Sequence, residues 1–280
     1  MKILVTGATG FVGQHVIPAL LNRNHEVIAL ARNIEKAKEF NWFPQVDFVS
    51  YDIYSNKSVT LDELGNPDAL LHLAWSDLTN YKSINHIEIN LPSDFKFLKS
   101  LVEQGLKQLL ITGTCFEYGM QNGCLNETMA SNPSNSYALA KDTLRKFMEN
   151  LQHSFSFNFQ WVRLFYMYGK GQNPGSLLSQ LDKAISNDEP VFNMSKGEQL
   201  RDYLPIEKVA ENLIKIIETP SIKGIINCCS GNPISVRRLV EEHIAKSKSK
   251  IELNLGYYPY PDYEPLAFWG DNTKLSLIKN

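Results

Sequence analysis

No stretch of this chain approaches the ~20 consecutive apolar residues that a membrane-spanning helix needs. Nor does it contain a long run of one charge. With 28 Lys and Arg against 30 Asp and Glu, the formal net charge is -2 over 280 residues, which leaves no electrostatic footprint for nucleic acid. Cysteine is scarce. Cys115, Cys124, Cys228 and Cys229 stand at spacings that fit neither a zinc site nor a disulfide framework. Reduced thiols in the cytoplasm are therefore expected, with Cys228 and Cys229 packed in or beside a strand. The start of the chain also lacks the apolar core of a secretory signal: Met1 and Lys2 lead straight into Ile3, Leu4, Val5 and a glycine-rich turn. What remains is ordinary globular composition, 43% hydrophobic and 21% charged, enough for one large core or a core with an appended lobe.

Residues 2–6 form a short apolar run, as expected of a strand buried on both faces of a parallel sheet. The turn Gly7-Ala8-Thr9-Gly10-Phe11-Val12-Gly13 follows, and a helical pattern then continues to about Leu21. A strand, a glycine turn and a helix in that order make a phosphate site. Gly7 takes the tight turn, Gly10 lets backbone approach a pyrophosphate, Gly13 lets helix and strand close up, and the helix N-terminus offers free N–H groups. Further apolar runs at 26–30, 46–50, 68–74, 108–112 and 159–165 read as strands, with helical patterns between them, the clearest from about Ile84 to Glu103. This alternation predicts an α/β fold built on a doubly wound parallel sheet, with ligands at the carboxyl ends of the strands. His72, inside an apolar strand, reads as a core histidine with satisfied hydrogen bonds. After residue 165 the texture becomes irregular, so residues 1–165 are expected to form the nucleotide-binding core with the reactive groups. Residues 166–280 are expected to form mainly a smaller substrate-binding lobe, with some segments returning to the core.

The second strand decides the cofactor. Instead of a carboxylate that would accept from ribose hydroxyls, its end carries Ala31-Arg32-Asn33. A guanidinium pairs with a phosphate, so NADP(H) is preferred, with NAD(H) as the alternative. Downstream, Tyr137 and Lys141 lie four residues apart, on one face of a helix. A neighbouring ammonium favours the phenolate of a tyrosine whose free pKa is near ~10. With Thr114 at the end of the fifth strand, this is a set for proton transfer coupled to hydride transfer.

With these residues in place, the chain resembles the extended short-chain dehydrogenase/reductase family. More narrowly it resembles the NAD(P)-dependent epimerase/dehydratase branch, a Rossmann fold acting on nucleotide-linked sugars. The resemblance implies Thr114, Tyr137 and Lys141 as catalytic residues. It implies cofactor contacts from Gly7, Thr9, Gly10, Phe11, Val12, Gly13, Arg32, Asp52, Ile53, Leu73 and Ala74, together with Tyr137 and Lys141, and gives Asn90 a structural part. Substrate contacts are expected from Thr114, Cys115, Phe116, Glu117, Tyr166 and Arg201, the last in an Arg201-Asp202-Tyr203 segment. Tyr257, Tyr258, Pro259, Tyr260 and Pro261, with Phe268 and Trp269, could wall the base and sugar, although packing is the commoner role. A homodimer in the cytoplasm is also implied, with no nucleic-acid or membrane partner and no metal.

Departures from the family narrow the reaction. Phe116 stands where the 4,6-dehydratases have an acid, which argues against water elimination. Cys115 follows Thr114 directly, and on an extended backbone it would turn away from the side an epimerisation acid must face. Ala31-Arg32 and Tyr166 count against a tight-NAD 4-epimerase. The expected activity is reduction of a nucleoside-diphosphate 4-keto-6-deoxyhexose, reversible as a 4-dehydrogenation, for deoxysugar and surface-polysaccharide synthesis. The alternatives are a nucleotide-sugar 4-epimerase and, in another class, a non-catalytic NADP(H)-binding regulator.

Overall fold

Ile3, Leu4 and Val5 are all fully buried, yet they point alternately to opposite faces of one sheet. Ile3 and Val5 enter one apolar layer and Leu4 the other, which is why the strand reads as an unbroken apolar run. The structure is a computed structural model that describes residues 1–55, 57–260, 262 and 264–278. Strands and helices alternate along the first part of the chain: β1 (Lys2–Thr6), α1 (Gly13–Leu21), β2 (Glu26–Ala31), α2 (Ile34–Lys38), β3 (Asp47–Ser50), β4 (Ala69–His72), α3 (Leu91–Glu103), β5 (Gln108–Thr114), β6 (Gly123–Leu125), α4 (Ser136–Leu151) and β7 (Asn158–Leu164). There follow β8 (Tyr166–Tyr168), α5 (Leu177–Ser186), β9 (Val191–Met194), β10 (Leu200–Arg201), β11 (Tyr203–Pro205), α6 (Ile206–Glu218), β12 (Gly224–Cys228), β13 (Ile234–Ser235), α7 (Val236–Ser247), β14 (Glu252–Leu255), β15 (Phe268–Gly270) and α8 (Thr273–Ser276).

Among the described residues, seven strands form one sheet in the order β12-β7-β5-β4-β1-β2-β3, and every neighbouring pair is parallel. Apolar residues of α1 and α6 cover one face (Val16, Ile17, Leu213, Ile217), and those of α3 and α4 cover the other (Leu98, Leu101, Leu144, Met148). The sheet is thus doubly wound. Its order reverses between β4 and β2, at β1, which opens a crevice at the carboxyl ends. A separate small core gathers Leu178 and Leu181 of α5, Phe192 and Met194 of β9, and Leu239 and Val240 of α7. Past residue 165 the chain also sends α6 and β12 into the main body. Cys228 ends β12, and it and Cys229 are both buried.

The structure departs from the expected helix between Ile84 and Glu103. Residues His86–Asn90 form one turn of π-helix, and the α-helix begins only at Leu91. Pro92 has no N–H to donate back to the carbonyl four residues before it, so the regular ladder cannot run through this point. The consequence is that His86 and Asn90, both fully buried, meet beside the crevice.

Two glycines in the first turn are required by geometry. Gly7 has φ +68, and a Cβ there would lie 2.9 Å from the Ala74 nitrogen. A Cβ on Gly13 would lie 2.4 Å from the Gly7 oxygen and 2.6 Å from the Ala8 oxygen. Both obstacles are backbone, so the helix itself would have to move. Gly13→Ala is expected to lower the unfolding free energy by about 2 kcal/mol or more, the range of overpacked sites, as read by urea denaturation.

Candidate active site

The expected cofactor residues cluster at the carboxyl ends of adjacent parallel strands. Gly7 follows β1, Arg32 follows β2, Asp52 and Ile53 follow β3, Leu73 and Ala74 follow β4, and Thr114 ends β5. A cavity of about 830 Å³ opens over these ends. Its walls include Gly7, Gly10, Phe11, Val12 and Gly13 on one side, and Thr114, Cys115, Phe116, Tyr137, Lys141 and Tyr166 on the other, with Leu73 and Ala74 between. Thr9 sits on the turn itself. Arg32, Asp52 and Ile53 lie beyond the cavity, further along the same sheet edge. The Arg32 side chain is exposed and has no ion pair among the described residues, Asp52 accepts from the Tyr54 N–H at 3.1 Å, and Ile53 is buried.

The glycine turn fits the anionic centre of a dinucleotide. The Gly10 N–H closes on the Gly7 carbonyl at 2.9 Å. At the start of α1 no side chain caps the free N–H groups, and no acidic residue stands in the first turn. The positive end of the helix therefore faces the cavity uncompensated. The Leu73–Ala74 segment opposite is held in place from beneath. The Thr6 hydroxyl accepts from the Leu73 and Ala74 N–H groups (3.2 and 3.3 Å), and donates to His72 Nδ1 at 2.9 Å. His72 Nε2 then donates to Asp94 at 2.7 Å. His72 is a fully buried core residue with both ring nitrogens engaged, as its sequence context indicated.

α4 delivers Tyr137 and Lys141. Asn135 caps it, its side chain accepting from the Ala138 N–H at 2.9 Å. The partly buried Tyr137 ring stacks on Tyr81 at 5.3 Å, and its N–H donates to the Tyr81 carbonyl. Burial pushes the Tyr137 hydroxyl well above the ordinary phenol range; Tyr81 and Glu117 add to this, and the hydrogen-bonding Thr114 hydroxyl opposes it. Tyr137 is therefore a protonated phenol at neutral pH, suited to give a proton. Lys141 is buried, and desolvation lowers it to about 8, opposed by Asp94 and Glu117. Its ammonium donates to the Thr112 carbonyl at 3.0 Å. Thr114 accepts from the Phe116 N–H at 3.3 Å, which leaves its own O–H to donate on the cavity side, where it reaches the Tyr137 hydroxyl.

Two expected substrate contacts, Glu117 and Arg201, need correction, and so does the extended backbone expected at Cys115. Glu117 does not face the cavity. It is fully buried, and its carboxylate accepts from the Thr114 N–H (2.8 Å), Trp161 Nε1 (3.0 Å) and Arg163 Nε (2.7 Å). Arg201 is also buried: Glu264 takes its guanidinium at 2.7 and 2.9 Å and the Leu266 carbonyl takes another N–H. It stands outside the cavity wall, although Tyr166, bonded to the same Glu264, lines the cavity. Cys115 does face the cavity, because the backbone does not continue extended after Thr114. It turns into a 3-10 helix, Cys115–Tyr118, capped by Thr114. Burial pushes the Cys115 thiol far up, so it stays protonated.

Pro261, expected to help wall the base and sugar, lies outside the described residues. Tyr257, Tyr258, Tyr260, Phe268 and Trp269 do not line this cavity, and Phe268 packs against Phe165 and Tyr166. The sequence reading missed Trp75, Tyr81, Gln172 and Asn173, all in the cavity wall. Trp75 directly follows the Leu73–Ala74 segment, which was the available signal. Tyr81 is brought in from an irregular loop and leaves no periodic trace.

The sequence matches the NAD dependent epimerase/dehydratase family over residues 3–229. It is 33% identical over 273 residues to a dTDP-6-deoxy-L-talose 4-dehydrogenase (NAD(+)) of Aggregatibacter actinomycetemcomitans, covering 96% of this chain and 99% of that protein. It is 24% identical to an uncharacterised UDP-glucose epimerase of Bacillus subtilis, covering 99% and 92% respectively. The fold is similar to that of a UDP-N-acetylglucosamine 4-epimerase from Methanobrevibacter ruminantium, solved with UDP-N-acetylmuramic acid. That likeness has a TM-score of 0.87 at 21% identity and covers 100% of this chain and 92% of that one.

Because Glu117 is buried behind the cavity wall and pairs with the buried Arg163 guanidinium, its removal leaves an unpaired charge in the interior. Glu117→Ala should cost about 3–5 kcal/mol of unfolding free energy. A loss near zero in urea denaturation would show that the pair does not hold this edge of the sheet.

Proposed function

We propose that this chain, which belongs to the NAD dependent epimerase/dehydratase family, reduces the 4-keto group of a nucleoside-diphosphate 4-keto-6-deoxyhexose to the 4-hydroxy deoxysugar, and catalyses the reverse 4-dehydrogenation. The observation that carries this reading is the make-up of the cavity wall. Among the described residues it contains no Asp, Glu or His, and the apolar Phe116 stands in the turn just after β5. A 4,6-elimination or an epimerisation next to the carbonyl needs a further acid or base beside the substrate. Here the proton chemistry rests on Tyr137 with Lys141, which suffices for carbonyl reduction. The similarity to a 4-dehydrogenase of a deoxysugar nucleotide, spanning nearly the whole of both chains, supports it.

Gly7, Gly10 and Gly13 of the turn would hold a nicotinamide dinucleotide, which would supply or accept the hydride when bound. Tyr137, protonated in its buried setting, gives its proton to the carbonyl oxygen as that oxygen becomes an alkoxide. Thr114 donates its hydroxyl hydrogen to the same atom, which lowers the cost of the developing charge. Lys141 keeps positive charge beside the phenol. In the direction of oxidation it favours the phenolate that takes the proton back. The apolar wall (Leu73, Phe116, Leu164, Phe165) keeps water from competing for these groups.

For the cofactor, Arg32 supports NADP(H): it is a free cation at the end of β2, with no carboxylate in its place. The NAD(+) in the name of the 33% identical relative supports the second reading, NAD(H). A 4-epimerase is the rival reaction, since it uses the same proton donor. The homodimer belongs to the same proposal. Leu139 and Phe147 lie on one face of α4, 45% and 42% exposed, and Phe147 packs on Phe95 of α3, so this pair of helices offers an apolar strip to a second copy. The cytoplasmic location is likewise proposed; no described helix is long and apolar enough to cross a membrane.

The decisive measurement is a panel of 4-keto-6-deoxy sugar nucleotides with NADPH and NADH, following cofactor oxidation and identifying the sugar by NMR. Net oxidation with a 4-hydroxy product is expected; epimerised product without net oxidation would replace this reading with the epimerase. Tyr137→Phe should lower kcat at least ~100-fold with cofactor affinity nearly unchanged. Arg32→Ala should weaken NADPH binding roughly tenfold or more, the worth of a charge-assisted hydrogen bond, and leave NADH almost untouched. Equal losses for the two cofactors would remove Arg32 from the 2′-phosphate.

A further inference from the structure

Lys141 poses an electrostatic problem that its hydrogen bonds do not solve. The side chain is 2% exposed, and among the described residues its ammonium has one hydrogen-bond partner, the Thr112 carbonyl. A buried ammonium with a single acceptor is costly. The carboxylates whose fields reach it, Asp94 before Glu117, make no hydrogen bond to it among the described residues. Asp94 of α3 accepts from His72 of β4 through Oδ1, while its Oδ2 is buried without a hydrogen-bond partner, and Glu117, after β5, accepts from Arg163 and Trp161 of β7. On its own helix Tyr137, four residues before it, is uncharged, and Arg145, four residues after it, is a buried cation paired with Asp142 and Glu149. The remaining contact is the face of Trp75, whose ring centroid lies 4.0 Å from the ammonium nitrogen.

The indole is itself locked. Trp75 Nε1 donates to His86 Nδ1 at 3.0 Å. Because Nδ1 accepts, the ring proton of His86 sits on Nε2, where it donates to the Asn80 carbonyl at 2.9 Å. Asn90, at the other end of the π-helical turn, donates to the Ser76 carbonyl (3.0 Å) and towards His86 Nδ1 (3.3 Å), and accepts from the Ser76 hydroxyl (2.7 Å). Ser76 adjoins Trp75, so the indole is held at both its backbone and its ring nitrogen. The same group reaches the phenol: the Tyr137 ring lies 5.3 Å from His86 and 6.1 Å, edge-on, from Trp75. Single-turn π-helices such as His86–Asn90 are frequent at functional sites.

We propose that Trp75 is a positioning residue for the reaction: its indole face stabilises and aims the Lys141 ammonium, and His86, set by the π-helical turn, holds the indole in place. This rests on the role given to Lys141 above. The face of an aromatic ring attracts a cation through its quadrupole, and the attraction is largest where water is excluded. Removing the face therefore makes the charged form of Lys141 harder to keep, and its titration moves to lower pH.

The test uses the cofactor-free protein labelled with ε-¹³C lysine. The Lys141 ε-methylene signal, assigned by its loss in Lys141→Met, is expected upfield of the other lysines through the Trp75 ring current and to titrate near pH 8. In Trp75→Leu the upfield displacement should vanish and the midpoint fall by about one pH unit. Trp75→Phe, which keeps an aromatic face, should retain most of the midpoint. His86→Leu, which leaves the indole unanchored, should reduce the displacement. In the reduction assay the alkaline limb of kcat should move with the midpoint in Trp75→Leu while the KM for the sugar nucleotide stays near its original value. An unshifted Lys141 signal in the unsubstituted protein, or an unchanged midpoint in folded Trp75→Leu, overturns the proposal. Should Trp75→Leu not fold, the ring-current shift of the unsubstituted protein and the Phe variant decide it. If no 4-keto sugar nucleotide is reduced, the proposed reaction fails, and the NMR titration still decides the part played by Trp75.

Discussion

One buried carboxylate organises the edge of the sheet on which the cavity depends. Glu117 accepts from the last N–H of β5 and from Trp161 and Arg163 of β7. This forces the chain to leave β5 in a tight 3-10 turn. Gly113 is part of the same constraint, because a Cβ there would lie 2.2 Å from Trp161 Nε1 and 2.3 Å from Glu117 Oε1. Burial pushes the Glu117 carboxyl up, while Arg163 pulls it back towards the charged form. Taking such a pair out of water is expensive, so it is weak evidence for extra stability. What it provides is direction: with Glu117 anchored inward, Thr114, Cys115 and Phe116 are turned towards the cavity.

The chemistry of the cavity follows from what this arrangement leaves out. The Glu117 carboxylate is spent behind the wall in its pair with Arg163, and among the described residues the cavity is lined by phenols, a protonated thiol and one ammonium. Tyr137 and Lys141 are shifted in opposite senses by the same burial, the phenol upwards and the ammonium downwards. The uncharged phenol is favoured, and the charge on the lysine needs help. The fields of Asp94 and Glu117 supply part of that help, the Thr112 carbonyl and the aromatic face of Trp75 touch the ammonium, and a neighbourhood rich in rings (Trp75, Tyr81, His86) surrounds Tyr137.

Much of this was legible in the sequence. The parallel strands, the glycine turn and the helix bearing Tyr137 and Lys141 show as local patterns, because burial on both faces, a required positive φ and a spacing of four each leave a trace within a few residues. Local spacing also indicated that His72 is a core residue. Local reasoning failed where the outcome depended on distant partners. Glu117 looked like a substrate contact until Arg163, 46 residues away, was found against it. Arg201 is taken by Glu264, 63 residues on. Cys115 lines the cavity as a substrate contact should, but the extended backbone that would turn it from the epimerisation side is ended by the Thr114 cap.

The sequence by itself determined the doubly wound sheet, the crevice at its carboxyl edge and the Tyr137–Lys141 pair on one helix face beside it, because each is set by residues close together in the chain. Only the tertiary structure decided which charged groups see that crevice. Glu117 and Arg201 neutralise each other's kind of charge elsewhere, in pairs formed across the sheet and the smaller lobe, and Trp75 meets Lys141 from a different strand end. The physical reason is that a buried charge must find its partner wherever the fold supplies one, and chain spacing carries no record of that choice.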